Sequence, residues 1–420
     1  MMNNNRYLTS NLLTQRWLSV ILPGLLVLFV ATEGAAQNFD TLSGLIGRRD
    51  SIAIADPAGQ IVFAKNENSG LVPASILKVF TALVALHYLG SDFRYVTEFY
   101  LDDESNLKIK GYGDPLLISE VVAEISHTLA LELNSNKVLN KLVLDSSYFD
   151  QPLTIPGISS SSEPYDAPNG ALCVNFNTVN FKSTENGFVS AEPQTPLLPL
   201  ALKRIKASNM KEGRIVFSHE NHEITMYAGS LFQFFLEQNG VEFDGRMRTG
   251  LVNKRRDRLI MRYVSRYSVK QIISKMLEFS NNFTTNQLFI TAGIRTSKAP
   301  GTLNKGIEAA LKYAVEILGL EGMVLFEGSG ISRKNRVSAA HMITILDRFA
   351  PYHTLMRREK NEFYKTGTLY GINTRAGYIC AKQGQLYRYV VIINTPGRST
   401  RPVMKKLLRI LATSADLQTS

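Results

Sequence analysis

The run from Pro73 to Gly90 limits what this chain can become more than any other stretch. From Ile76 to Tyr88 it is apolar nearly all round, and Lys78 is its only formal charge. A helix apolar on every side belongs inside a protein. A lysine carried inside must find hydrogen-bond partners or give up its proton, because an unpaired buried ammonium is very costly. Ser75 lies three residues earlier, so the two side chains share one helical face. A serine at a helix N-terminus beside an amine that can lose its proton is an activated nucleophile with its base. The plainer alternative is a core helix in which Lys78 snorkels to solvent and Ser75 is an N-cap. The pattern Ser-x-x-Lys recurs at Ser105 to Lys108 and at Ser208 to Lys211, in polar, turn-rich surroundings that keep a lysine hydrated. Only the copy at Ser75 has surroundings that would tune the amine.

The N-terminus reads as a targeting segment. Arg6 and Arg16 precede an apolar run from Trp17 to Ala31, and Gly34-Ala35-Ala36 offers small residues for cleavage. Residues 1–36 are therefore expected to be a secretory signal peptide, and the protein to be exported to the periplasm. The rival is an uncleaved anchor, but the run spans only about 15 residues and is broken by Pro23-Gly24, short for a membrane span. Loss of residues 1–36 removes Arg6, Arg16 and Glu33 from a chain of net charge +11, leaving +10. Such a charge suits an anionic partner, a cell-wall polymer or a membrane surface, and a peripheral association with either fits it. No nucleic-acid motif is present. Cys173 and Cys380 show no metal-site or Cys-x-x-Cys spacing, which excludes a dense disulfide framework and leaves one pairing open. The six histidines form no metal-binding helix pair, so neither a metal nor another cofactor is expected. Lacking a placed histidine, a Ser-His-Asp mechanism is disfavoured and a lysine base favoured.

At 420 residues the chain is too long for one ordinary core. Ser51 to Ala55 and Gln60 to Ala64 read as strands around the turn Asp56-Pro57-Ala58-Gly59. From about Ser91 to Arg256 short strands recur at Tyr95 to Leu101, Asn106 to Gly111 and Lys141 to Asp145. Leu172 to Phe181 and Arg214 to Tyr227 read the same way, while Ile118 to Leu133 looks helical. Helices return at Ser268, whose Ser-Val-Lys-Gln is a capping box, and continue at Phe283 to Ala292, Leu303 to Leu318 and Ser338 to Phe349. Glu362 to Thr368, Ala376 to Lys382 and Leu386 to Asn394 make a strand meander before a closing helix, Val403 to Leu411. The economical fold is α+β: both ends join one antiparallel sheet, and the middle helices form a second lobe. Residues 37–92 and 257–420 would make the catalytic domain, with 93–256 a large strand-rich insertion.

Two further segments carry chemistry. Ser280-Asn281-Asn282 interrupts two helices, where a hydroxyl and a carboxamide can face a cleft; the alternative is a simple helix stop. Lys365-Thr366-Gly367-Thr368 lies on the first strand of the meander, where Lys365 gives a fixed charge, Gly367 allows close approach to the backbone, and Thr366 and Thr368 offer hydroxyls to a carboxylate. The alternative is a solvated strand edge. Helix start, interhelical turn and sheet edge, in that order, form the set found in penicillin-binding proteins and active-site-serine β-lactamases. The chain resembles the D-alanyl-D-alanine carboxypeptidase/endopeptidase branch of the low-molecular-mass penicillin-binding proteins. That branch has a long insertion between its first two motifs, and Ser75 and Ser280 are 205 residues apart. Gly113-Asp114-Pro115, Asp145 to Phe149, Tyr165 to Pro168, Asn175-Phe176-Asn177, Gly328-Ser329-Gly330, Asn335 to Ser338 and Ala376-Gly377-Tyr378 also match. Asn281 and Glu327 stand where the branch usually has Asp.

The resemblance implies a penicillin-binding-protein fold, peptidoglycan stem peptides as substrate and covalent binding of β-lactam antibiotics. Ser75 would attack the carbonyl between two D-alanines or in a cross-link, with Lys78 as base. Ser280 would relay the proton toward the leaving amine, and Asn282 would hold the acyl side-chain amide. Lys365 would support the field and attract the terminal carboxylate, which Thr366 and Thr368 would bind. Backbone N–H groups of Ser75 and Thr368 would form the oxyanion hole. A serine β-lactamase would share the first steps, but the Glu-x-x-Leu-Asn segment of the class A enzymes is absent between Asn282 and Lys365. A catalytically silent peptidoglycan-binding scaffold would not need Ser75, Lys78, Ser280, Asn282 and Lys365 intact.

Overall fold

Both ends of the chain enter one antiparallel sheet. The computed structural model describes residues 39–133, 138–159, 163–218, 220–381 and 384–414, and the segment read as a signal peptide, residues 1–36, lies outside them. In chain order come β1 (Asp50–Ala55), β2 (Ile61–Lys65), α1 (Leu77–Leu89), β3 (Arg94–Leu101), β4 (Leu107–Gly111), α2 (Ser119–Glu132), β5 (Val138–Leu139) and β6 (Leu142–Asp145). Next are β7 (Thr178–Thr184), β8 (Gly187–Ser190), α3 (Pro199–Ser208), β9 (Glu212–Val216), α4 (Glu223–Gln238), β10 (Glu242–Phe243), β11 (Arg248–Thr249) and β12 (Arg258–Ser268). The chain then runs through α5 (Val269–Phe279), α6 (Asn282–Ser297), α7 (Leu303–Leu318), α8 (Ala339–Phe349), β13 (Arg357–Glu359), β14 (Glu362–Leu369), β15 (Ile372–Cys380), β16 (Leu386–Ile393) and α9 (Arg401–Ser414).

The main sheet has the order β13-β14-β15-β16-β1-β2, so β1 pairs with the last strand, Asp50 opposite Ile393. Strand alternation then sorts its side chains onto two faces. Ala53, Ala376, Tyr378, Val390 and Ile392 pack inward on α1, α5, α6 and α8. Ile52, Ile54, Tyr364, Val391 and Ile393 pack outward on Val403, Met404 and Leu407 of α9. Helix α1 lies in the inner core, with Leu77, Val79, Phe80, Leu83 and Val84 all buried. It ends at Gly90, whose φ of 87° stops the helix without strain. The capping box read at Ser268 is present, with Ser268 Oγ accepting from the Gln271 amide. No described helix is long and apolar enough to cross a membrane.

The insertion has its own core under a five-stranded sheet, β11-β6-β4-β3-β12, and a three-stranded one, β8-β7-β9. Strand β12 pairs with β3 along most of its length, so the larger sheet runs past residue 256 into the segment that leads to α5. Two strand readings need correction. Arg214 to Tyr227 is strand only to Val216, and Glu223–Gln238 is the helix α4. That segment is rich in β-branched and aromatic residues, which favour strands locally, but burying Ile224, Tyr227, Ala228, Leu231 and Phe232 on one face makes a helix the better fit. Leu172 to Phe181 becomes strand only at Thr178, because Asn175, Phe176 and Asn177 all take positive φ. Both cysteines are free.

One glutamine ties insertion to lobe. Gln287 on α6 is fully buried; its Nε2 donates to the carbonyls of Gly113 and Gly170, both at 3.0 Å, and its Oε1 accepts from Asn169 at 3.1 Å. Gln287→Leu fills the volume but strands the Gly113 carbonyl and takes one bond each from the Gly170 carbonyl and the Asn169 amide, which keep Cys173 Sγ and the Phe283 carbonyl as partners. Chemical denaturation should show a loss of about 1–3 kcal/mol, on the scale of one unsatisfied buried group.

Candidate active site

Ser75 sits in a tight turn, Ala74–Ile76, that runs straight into α1, and its side chain makes no cap bond. The turn is held from the sheet. Asn394, just past β16, accepts from the Val72 amide at 2.9 Å and donates to its carbonyl at 3.1 Å. Thr374 of β15 donates to the Pro73 carbonyl at 2.8 Å. Ala74 has φ of 48°, a conformation alanine adopts only when its surroundings impose it. Those surroundings fit closely. A Cβ at Gly330 would fall 1.9 Å from the Ala74 carbonyl oxygen, and one at Gly367 would fall 2.6 Å from the Ser75 amide nitrogen. The Ser75 amide nitrogen thus lies close against strand β14.

Lys78 is wholly buried, and its Nζ meets three oxygens: Ser75 Oγ at 3.0 Å, Asn282 Oδ1 at 2.7 Å and the Ser329 carbonyl at 2.7 Å. As an ammonium it would donate to all three. As a neutral amine it has two N–H bonds and one lone pair. The carboxamide and backbone oxygens accept only, so they take the two N–H bonds, and the lone pair turns to the Ser75 hydroxyl, which then donates. Burial pushes the Lys78 pKa well below its ordinary value; the nearby Lys365 charge pushes the same way, and Glu327 opposes both. The arrangement is a hydroxyl with an amine one helical turn away, a pair of groups able to act as nucleophile and general base.

Asn282 is the first residue of α6, after the turn at Ser280, where φ is 54°. Its Nδ2 donates to the Tyr165 carbonyl of the insertion at 3.2 Å. Both ends of this carboxamide are therefore engaged by the protein rather than offered to a ligand. The half-buried Ser280 hydroxyl makes no hydrogen bond among the described residues. Lys365 is nearly buried and faces the same side as Gly367; its Nζ donates to the Thr366 carbonyl at 2.8 Å. Burial, then the Arg357 charge, lowers its pKa to about 8. Thr366 and Thr368 point to the opposite, outer face, beside Asn373 and Arg375. Strand alternation requires this split, so the two hydroxyls and the ammonium lie on opposite sides of β14, not on the one face the sequence reading expected.

Sequence reasoning assigned no role to the loop that supplies Ser329. Its anchor is Glu327, fully buried. Oε2 accepts from Ser329 N and Oγ, each at 2.6 Å, and from Asn286 at 3.3 Å. Oε1 accepts from Gly330 N at 2.7 Å, Asn335 Nδ2 at 2.8 Å and Ser332 N at 3.2 Å. The carboxylate folds the loop around itself, and Thr81 of α1 pins it by donating to the Gly328 carbonyl at 2.6 Å. A lone glutamate among small and apolar residues, Leu325 to Ser332, was the signal. Among the described residues no cluster of His, Cys, Asp and Glu could hold a metal ion.

The family model described as D-Ala-D-Ala carboxypeptidase 3 (S13) matches residues 47–212 and 207–358. The D-alanyl-D-alanine carboxypeptidase of Actinomadura sp. (strain R39) is 25% identical over 417 residues, 81% of this chain and 77% of that protein. Penicillin binding protein 4 of Haemophilus influenzae superposes with a TM-score of 0.69 at 19% identity, over 92% of this chain and 98% of that one. A predatory peptidoglycan endopeptidase from Bdellovibrio bacteriovorus gives 0.51 at 14% identity, over 87% and 92%. At such identities these two structures speak for the fold, which is that of the penicillin-binding proteins.

Two outcomes follow from the geometry. Gly367→Ala puts a methyl 2.6 Å from the Ser75 amide and 2.4 Å from Thr374 Oγ1. Acylation of Ser75 by a fluorescent penicillin should slow by about 10²-fold, the scale of one lost oxyanion donor, and the clash should also lower stability by about 1–3 kcal/mol, as overpacking does. The pH profile of the same reaction should rise as Lys78 loses its proton and fall past about pH 8 as Lys365 loses its own. Lys365→Arg, which keeps the charge, should move the falling limb to higher pH.

Proposed function

The chain belongs to the D-Ala-D-Ala carboxypeptidase 3 (S13) family of serine peptidases acting on peptidoglycan, and from that premise we propose that it works through an acyl-enzyme on Ser75. The observation that carries this reading is the Lys78 amine, with one lone pair left for the Ser75 hydroxyl. Ser75 Oγ attacks the D-alanyl carbonyl of a stem peptide while its proton passes to Lys78 Nζ. The tetrahedral oxyanion is taken by the Ser75 N–H and the Thr368 N–H, each donor contributing about 3 kcal/mol. The amide C–N bond then breaks. The proton leaves Lys78 for the departing amine, with Ser280 as the relay, and water later attacks the ester and restores the Ser75 hydroxyl.

Asn282 holds Lys78 through Oδ1 and, when an acyl chain enters, exchanges its Tyr165 contact for the substrate amide. Lys365 stays charged below about pH 8 and draws the substrate carboxylate to the open edge of β14, where Thr366 and Thr368 receive it. β-Lactams acylate Ser75 in the same pose; a structure of the Haemophilus influenzae protein is described as a complex with a β-lactam. In this reading residues 37–92 and the chain from α5 onward form the catalytic part, the insertion runs from residue 93 through β12, and the protein acts in the periplasm, attached to the membrane or the wall only peripherally.

The test is product analysis. Purified protein should remove terminal D-alanine from muropeptide monomers or cleave cross-linked dimers, and should be labelled covalently by penicillin. Ser75→Ala should abolish labelling and lower turnover by roughly 10⁴-fold or more. Identical products from both proteins would refute the assignment of Ser75.

A further inference from the structure

A cavity of about 280 Å³ lies where the insertion meets the helical lobe. Leu116, Ile118 and Phe176 line it from the insertion, Met276 and Phe279 from α5, and Tyr267 from the end of β12. Ser75, Lys78, Ser280, Asn282 and Lys365 take no part in its lining.

The walls are aromatic and already in place. Phe176 comes from a turn in which Asn175, Phe176 and Asn177 all take positive φ. Such residues persist only where the surroundings fix them. The Asn175 carboxamide is so fixed, accepting from the Ser119 amide at 2.8 Å and donating to the Ser119 hydroxyl at 2.9 Å. The Phe176 ring packs edge-on against Phe283, with centroids 6.1 Å apart. Phe279, the last residue of α5, is 70% exposed. It continues the helical stripe of Ile272 and Met276 beyond the core. A ring left in water forgoes the gain that burial would bring, and an occupant of the cavity would cover it.

The cavity also has a definite electrostatic sense. Lys275 stands exposed at its mouth, its Nζ 5.5 Å from the centre of the Tyr267 ring, and forms no ion pair among the described residues. Asn281 also lines the cavity. Its Oδ1 accepts from the Thr284 amide at 2.8 Å, and its Nδ2 has no partner among the described residues. No acidic side chain lines the space. A cation and a free amide donor beside apolar walls suit an anion carried on an apolar body. One water takes about 30 Å³, so the space fits a body of roughly ten non-hydrogen atoms.

We propose that this cavity binds a small aromatic carboxylate, its ring against Phe176, Tyr267 and Phe279 and its anion against Lys275 and Asn281. Asn281 is flanked by Ser280 and Asn282, so the ligand rests on the turn that carries both. Occupancy does not depend on Ser75 being the nucleophile.

The probe is 3-phenylpropionate, compared with its neutral amide by NMR titration at low salt. The acid should bind with a dissociation constant of about 1 mM, ordinary for a ligand of this size. It should bind about fivefold tighter than the amide, the upper range for an exposed ion pair. K275A should bring the acid down to the affinity of the amide, K275R should keep the preference, and added salt should weaken the acid alone. F279A, a change at an exposed ring, should weaken both ligands about threefold or more and reads the site independently of charge. K365A should leave binding unchanged. Equal affinity of the wild type for acid and amide, or acid binding unchanged in both K275A and F279A, would overturn the assignment. So would loss of binding in K365A, which would place the ligand in the catalytic cleft instead.

Discussion

An amine in a dry interior, held by one oxygen from a turn away and two from distant segments, sets the terms for the rest of this structure. Lys78 travels into the core because α1 takes it there. The five large apolar side chains buried with it each contribute roughly 2 kcal/mol, together near 10 kcal/mol. Against that stands the cost of one buried amine, small only if the group is neutral and every polar bond is met. Asn282 and Ser329 meet two of those bonds, and the third partner is the Ser75 hydroxyl. The condition that makes the helix tolerable in the core also leaves the amine's lone pair to the Ser75 hydroxyl.

Keeping the amine in register takes a rigid frame. The turn before Ser75 stores strain at Ala74, about 1–3 kcal/mol for such a residue. Asn394 and Thr374, at the ends of two neighbouring strands, hold it there, and Gly330 and Gly367 leave room for nothing larger. Opposite, Glu327 gathers five hydrogen bonds within one short loop and a sixth from Asn286 of α6, so the carbonyl offered to Lys78 cannot drift without breaking several at once. The carboxylate supports the amine through the backbone and touches neither Ser75 nor Lys78.

What the sequence discloses follows the range of the forces involved. The apolar run around Lys78, the capping box at Ser268, the turn at Ser280 and the closing meander are local patterns, and each appears where the chain text puts it. The partners of Lys78 are partly legible: Asn282 lies in a motif, whereas Ser329 acts through a backbone carbonyl that any residue could supply. The hidden part is orientation. Lys365, Thr366, Gly367 and Thr368 are contiguous, yet the pleat sends them to two faces, and only the sheet order shows that one face meets Ser75 and the other α9. In the insertion, aromatic and β-branched residues disguised α4 as a strand, because a helix that buries one face on a sheet is chosen by tertiary packing rather than by propensity.

The surroundings of Ser75, on which the proposed reactivity rests, are consequently a property of the completed fold. Asn282 is 204 residues from Lys78 and Ser329 is 251, so neither contact exists until the lobe has closed on the sheet. In an unfolded chain Lys78 is a hydrated ammonium beside an ordinary alcohol. The insertion takes part in the closure. The carbonyl of Tyr165 steadies Asn282, the backbone at Gly157 lies against Ser332 in the Glu327 loop, and Gln287 bonds to two carbonyls of the insertion. A domain inserted between two catalytic motifs and touching both walls of the cleft is not a passive appendage. Its docking steadies the carboxamide that, with the Ser329 carbonyl, holds the Lys78 amine, so disturbing the junction near Gln287 bears on the placement of Lys78 before that of Ser75.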